Sequence, residues 1–221
     1  LLADWTGENE LLLHREGHCR EELFAGVDLS RTVGWFTTIY PVRLAVPRPG
    51  DGRANGDGET GGLDATIKSI KEQLRGIPRN GMGYSILRYL AATGLADSGP
   101  VDVSFNYLGQ FRYSGGEGGL LTDLAGGVIG SAHAPENSRS HLLEIDALVE
   151  GGQLRILWGY SRNRHEQTTI ERLAAQYVEY LDRLVTHCLT NQSQAYTPSD
   201  FAGARVTQSQ LDKLMARIKK G

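Results

Sequence analysis

The chain has 221 residues, 40% of them hydrophobic and 22% charged, an ordinary soluble globular composition with length for one or two domains and a sizeable core. Its net charge of -3 and isoelectric point near 6.1 argue against a nucleic-acid-binding role. No apolar run approaches the ~20 residues that span a bilayer, and the N-terminus lacks a basic-then-apolar signal pattern.

The opening Leu1-Leu2-Ala3-Asp4-Trp5 reads as a segment cut from something longer. Residues 10–18 read as a strand entering a glycine turn, and residues 37–46 are β-branched and apolar, again strand-like. Pro47 to Gly62 has almost no apolar content and reads as a solvated loop. Its acidic residues lack the ligand spacing of an EF-hand, so an exposed insertion is preferred to a calcium loop. Leu63, Ile67, Ile70 and Leu74 then recur at intervals of four, three and four, which places them on one helical face, and Gly76 and Pro78 end that helix. A shorter helix is expected through Tyr84–Leu90, ending near Gly94.

Val101, Val103, Phe105 and Tyr107 alternate with Asp102, Ser104 and Asn106, the period of a strand with one buried face. Residues 114–139 are glycine-rich and read as loop. Leu143, Ile145, Ala147 and Val149 alternate, Gly151-Gly152 supplies the positive φ of a tight turn, and Leu154, Ile156, Trp158 and Tyr160 alternate again, which predicts a β-hairpin. The longest helix is expected from Thr168, with Thr168 and Glu171 as a capping box and Ile170, Leu173, Ala174, Tyr177, Leu181, Leu184 and Val185 as its apolar stripe. Residues 197–201 look like a linker to a last helix capped by Thr207 and Gln210, with Leu211, Leu214, Met215 and Ile218 as its stripe. Strands alternate irregularly with helices and no internal repeat is present, so the class is α/β or α+β with a mixed sheet. Cys19 and Cys188 are far apart and read as idle thiols in a reducing cytosol rather than a disulfide. Asn191-Gln192-Ser193 fits a glycosylation acceptor, which without secretion is taken as chance.

Within the first strand, Leu12, His14, Glu16 and His18 share one face, and Leu11, Leu13 and Arg15 the other. Two histidines and a carboxylate on one face suggest zinc, but no third ligand partner is identifiable, and no metal is expected. As a general base, Glu16 needs its pKa raised from about 4.3 by burial. On the residues alone, a structural ion pair with Arg15, Arg20 or a neighbouring histidine is the stronger reading.

Four stretches change that balance: Glu16-Gly17-His18-Cys19-Arg20-Glu21, Arg31-Thr32-Val33-Gly34-Trp35-Phe36-Thr37-Thr38-Ile39-Tyr40-Pro41, Pro78-Arg79-Asn80-Gly81-Met82-Gly83-Tyr84 and Phe105-Asn106-Tyr107-Leu108-Gly109-Gln110. In this order and spacing they resemble the C-terminal half of epimerization domains of nonribosomal peptide synthetases, from about Trp5 to Phe201. The implied fold is α/β, a mixed β-sheet with packed helices: the C-terminal lobe of the chloramphenicol-acetyltransferase-like architecture over residues 1–196, followed by a linker and short terminal helix over 197–221. The implied activity inverts the Cα, L to D, of an aminoacyl or peptidyl thioester held on a carrier protein. The family's His-His-x-x-x-Asp-Gly motif lies upstream of these stretches and no His-His pair occurs here, so the chain reads as one lobe of a two-lobe enzyme, inactive alone.

By resemblance, Glu16 is the acid/base partner of the absent histidine, and Asn106 and Tyr107 carry further catalytic roles. Alternation points those two to opposite faces, so one is expected to line the channel while the other fixes the sheet. His18, Arg20, Trp35, Thr37, Tyr40 and Tyr84 are implied as channel-lining or supporting residues. Cys19 and Ser85 stand where the family has glycine. The Arg31–Pro41 block matches the epimerization version rather than that of condensation domains, while Arg139–Asp146 and Trp158–Ser161 are read as scaffold. The resemblance implies no intrinsic cofactor. The 4'-phosphopantetheine arm belongs to a partner peptidyl carrier domain, and the other implied partners are the missing N-terminal lobe and neighbouring synthetase modules, in the cytoplasm, with no nucleic acid and no membrane. A condensation-type lobe forming amide bonds and a non-catalytic carrier-docking lobe are the alternatives. No Gly-x-Ser-x-Gly elbow, Walker loop, dinucleotide fingerprint or His-Glu-x-x-His occurs.

Overall fold

A computed structural model of the chain describes all residues except 18–19, 21–23, 47–58, 92–94, 96–98, 112–133, 135, 191–195, 202, 205 and 219–221. Most of the 47–62 and 114–139 loops expected from the sequence therefore lie outside the described residues.

Five strands form a single sheet. They are β1 (Glu10–Gly17), β2 (Thr38–Ala45), β3 (Val103–Phe111), β4 (Leu143–Glu150) and β5 (Gln153–Tyr160), in the order β2-β1-β3-β4-β5. The outer pairs β1–β2 and β4–β5 are antiparallel, while β1–β3 and β3–β4 are parallel. This is the expected mixed sheet. Helices are α1 (Leu2–Thr6), α2 (Glu59–Arg75), α3 (Met82–Tyr89), α4 (Gln167–Thr190) and α5 (Gln208–Ile218). No described helix is long and apolar enough to cross a membrane.

The period-two patterning decides what each face of the sheet meets. Leu13, Tyr40, Val42, Val103, Leu143 and Ile145 point to one side, where Ile170 and Leu173 of α4 complete the core and Leu74 of α2 packs against it. Trp158 of β5 meets Tyr177 of α4 edge to face, with ring centroids 5.8 Å apart. Gln73 of α2 secures edge strand β2: its amide donates to the Ala45 carbonyl (2.9 Å) and accepts from the Ala45 N–H (2.7 Å). A side-chain amide thus stands in for one more ladder pair.

Several local expectations are realised, and others shift. The Gly151-Gly152 turn has φ of 57° and 77°, and the hairpin it joins pairs the two alternating sets, from Leu143 with Tyr160 to Val149 with Leu154. Thr207 and Gln210 form their reciprocal cap, with Thr207 N–H donating to Gln210 Oε1 at 2.9 Å and Gln210 N–H to Thr207 Oγ1 at 3.4 Å. The longest helix starts a residue before Thr168. Thr168 therefore lies inside the first turn, and Glu171 accepts from Gln167 (2.7 Å) instead. On α4, Ile170 and Leu173 are buried but Val185 is exposed, and on α5 only Leu211 of the stripe is buried while Leu214 and Ile218 are exposed. Helix α2 begins at Glu59, inside the stretch expected as loop. The segment read as a linker is anchored to α2. Thr197 is fully buried and caps a short 3-10 turn, Pro198–Asp200, whose Asp200 pairs with Lys71 (2.6 Å) and Arg75 (2.5 Å).

Candidate functional site

The face of the sheet opposite the core carries a patch of polar side chains. Alternation puts His14 and Glu16 of β1 there, with Ser104 and Asn106 of β3 and Glu144 and Asp146 of β4. Register sets their order across the strands. His14 pairs with Ser104, Arg15 with Phe105, Ser104 with Glu144 and Asn106 with Asp146, and continuing the β1–β3 register one step sets Glu16 against Asn106.

Glu16 is partly buried, and its carboxyl is pushed above the usual carboxylate range, first by burial and then by the negative charge of Asp146. Asp146 is raised too, by burial and by Glu144. Glu144 in turn is ion-paired with Arg139. The ion pairs expected for Glu16 with the nearby arginines do not form, because both arginines are held elsewhere. Arg15 points to the core face and donates to the Tyr40 hydroxyl (2.8 Å). Arg20 donates to the Leu29 and Thr32 carbonyls (2.7 and 2.9 Å) and stacks over Phe36, 4.3 Å from its centroid. Arg20 therefore shapes the 29–36 segment.

The motif residues converge around Gly17. A Cβ on Gly17 would rest 3.6–3.7 Å from Thr38 Oγ1, the Tyr40 ring and the Asn80 carbonyl. Arg79, Asn80 and Gly81 form three successive left-handed residues (φ 47°, 50° and 79°), and a Cβ on Gly81 would clash with the Tyr40 ring. That close approach is the physical reason for glycine in Pro78–Tyr84.

Beside this floor lies an open cavity of about 670 Å³ lined by Thr37, Ile39, Tyr84, Arg88, His14 and His141 among others. His14 Nδ1 and His141 Nε2 are 2.8 Å apart and share a hydrogen bond. Burial, then His141 and Arg88, hold His14 below the ordinary histidine value. The Tyr84 hydroxyl accepts from Arg88 at 3.1 Å.

Not every expected site residue joins this assembly. Tyr107 lies on the core-side face, 55% exposed, away from Glu16 and Asn106. Of Asn106 and Tyr107, Asn106 is the residue on Glu16's face. Tyr40 is 2% exposed and belongs to the core, a supporting rather than a lining position. Trp35 is 91% exposed on a surface segment, removed from the strand interior that its aromatic neighbours suggest. His18, Cys19 and Glu21 lie outside the described residues. Among the described residues no cluster of three or more His, Cys, Asp or Glu is arranged for a metal ion.

Asp146, His141 and Arg88 do not stand out in the sequence as site residues. For Asp146 a signal exists: Glu144 and Asp146 occupy the outward positions of an alternating strand, two carboxylates on one sheet face.

A family model described as the condensation domain matches residues 1–207. The chain belongs to the condensation domain family. A linear gramicidin synthase of Brevibacillus parabrevis is 42% identical over 98% of this chain and 3% of that protein. Chondramide synthase cmdD of Chondromyces crocatus is 40% identical over 96% of this chain and 5% of that protein. Among solved structures, the epimerization domain from the third module of tyrocidine synthetase B superposes with a TM-score of 0.70 at 38% identity, covering 86% of this chain and 40% of that one. The chain thus spans a small part of these synthases and well under half of that domain. The kinship with nonribosomal peptide synthetases and the fold read from the four motifs agree with these relatives.

Proposed function

We propose that this condensation-family chain is the C-terminal lobe of an epimerization domain, and that Glu16 transfers a proton at the Cα of an aminoacyl or peptidyl thioester on a carrier protein. The observation that carries this reading is a partly buried carboxylate, raised in pKa, in the polar patch on the sheet face opposite the core, beside Asn106. The similarity to a solved epimerization domain and the Arg31–Pro41 block support it over amide-bond formation.

Inversion requires that the Cα proton leave on one face and another arrive on the opposite face. The electron pair released from the C–H bond moves into the thioester carbonyl, giving an enolate whose oxygen needs a donor. Glu16 serves one face as carboxylate or carboxylic acid according to direction. The other face falls to the histidine of the family's upstream motif, on the N-terminal lobe. A carboxyl raised by burial is both a stronger base when ionised and able to hold a proton, as a reversible reaction demands. Asn106 supports the reading as a neutral amide donor near Glu16. The substrate arrives on the 4'-phosphopantetheine arm of a carrier domain, with neighbouring synthetase modules as further partners.

The test is deuterium wash-in at Cα in heavy water, with the complete two-lobe domain and an aminoacyl-loaded carrier. Glu16→Gln is expected to lower exchange by about 10²–10⁴-fold. Undiminished exchange moves the base elsewhere. No exchange by the native domain, with the substrate still bound on its carrier, favours a condensation or docking lobe.

A further inference from the structure

We propose that Asp146 is a positioning residue for the proton transfer: it is the second carboxylate of the row Glu16–Asn106–Asp146, placed one strand beyond Asn106 so that its charge faces Glu16 across β3. The inference rests on the reading of Glu16 as the proton-transfer group and adds a residue outside the four family motifs.

Its basis is geometric. Asn106 is the register partner of Asp146, and Glu16 occupies the same face one strand further on. Both carboxylates are partly buried, which weakens solvent screening between them. Among the described residues, the charged and titratable neighbours leave this pairing in place. On β4, Glu144 is met by Arg139. On β1, His14 is engaged by His141, and both line the cavity with Arg88. Edge strand β2 offers Ile39 opposite Glu16, and β5 offers Leu157 opposite Asp146, neither of them charged. The raised carboxyl at Glu16, with burial first and Asp146 second among its causes, agrees with the geometry.

Across the intervening strand β3 the negative charge of Asp146 adds to burial in opposing ionisation of Glu16. The sign follows directly. Replacing Asp146 with a neutral residue removes like-charge repulsion, so Glu16 gives up its proton at lower pH. When Glu16 acts as the base, the ascending limb of the rate–pH profile moves to lower pH. When it acts as the acid in the reverse direction, the descending limb moves the same way.

The experiment is the pH profile of Cα deuterium exchange by the complete two-lobe domain, native against Asp146→Asn and Asp146→Glu. Asp146→Asn is expected to raise the rate on the acid limb, relative to its own plateau, about threefold over the native ratio, while Asp146→Glu restores the native profile. A uniform loss of rate with the limb unmoved overturns the proposal, because a merely structural role leaves the midpoint alone. Should Asp146→Asn fold poorly, Asp146→Ser supplies the neutral variant. NMR titration of the Glu16 side-chain carboxyl in domain carrying 13C-labelled glutamate gives a second readout. A lowered midpoint in the neutral variant supports the role of Asp146 even if no exchange occurs at all, in which case it is the epimerase reading that fails. An unchanged midpoint overturns the inference while leaving that reading intact.

Discussion

Gly81 illustrates how a single position can decide a site. It is buried, its φ is 79°, and the Tyr40 ring occupies the space where a side chain would begin. Gly81→Ala therefore combines a disfavoured backbone with overpacking, at a cost of about 2–4 kcal/mol, and denaturant unfolding should show a lower midpoint. Gly83, inside α3 with nothing within 4 Å of its Cβ position, is the matched control. There alanine should leave stability unchanged or raise it by up to about 1 kcal/mol, as helix propensity dictates. Both glycines belong to one short motif, and their different roles follow from the neighbouring ring. Asn106 makes the same point. Alternation alone shows that it and Tyr107 diverge, but the face shared with Glu16 depends on which strand lies next to β3.

Among the elements, β3 departs most from simple alternation. Tyr107 pairs with Ala147 but Gln110 with Val149, so three steps on β3 span two on β4. The extra residue is a β-bulge, with Gly109 at φ 85° absorbing it. Glycine within Phe105–Gln110 thus has a backbone reason that periodicity cannot reveal. The Thr197–Asp200 turn is another such element, since its hold on α2 is ionic. Asp200 sits between Lys71 and Arg75, whose hydrogen bonds keep its carboxyl well below the usual range. A depressed carboxylate contributes stability that is present above its unfolded value, near 3.9, and is lost as pH falls from there toward the folded one. Limited proteolysis should therefore cut near 197–201 faster below about pH 4 than at neutrality, and faster in Asp200→Asn at neutrality. Equal cutting under all these conditions would show that burial of Thr197, rather than charge, anchors the turn.

For the whole molecule, the governing feature is a sheet whose one face packs its core against α4 and α2, while the other carries the Glu16–Asn106–Asp146 row. Glu16, Asn106 and Asp146 stand together on that second face. With carrier-bound substrate in heavy water, this chain alone should give no exchange above the buffer background, and the complete domain should give it. Inversion by the chain alone would overturn the two-group mechanism. Most of this architecture was legible in the sequence: alternating strands, the Gly151-Gly152 hairpin, the cap of α5 and the four motifs are encoded within a few residues of each other, where local sterics and hydrogen bonding act. Glu16 was singled out by its place in the family-like Glu16–Glu21 stretch, whereas the residues alone favoured an ion pair. Strand order, the bulge in β3, the close approach of Gly81 to Tyr40, the exposure of Trp35 and the placing of Asp146 near Glu16 were decided only by the tertiary structure. Each depends on which distant segments become neighbours, and burial and charge repulsion exist only once those segments have met.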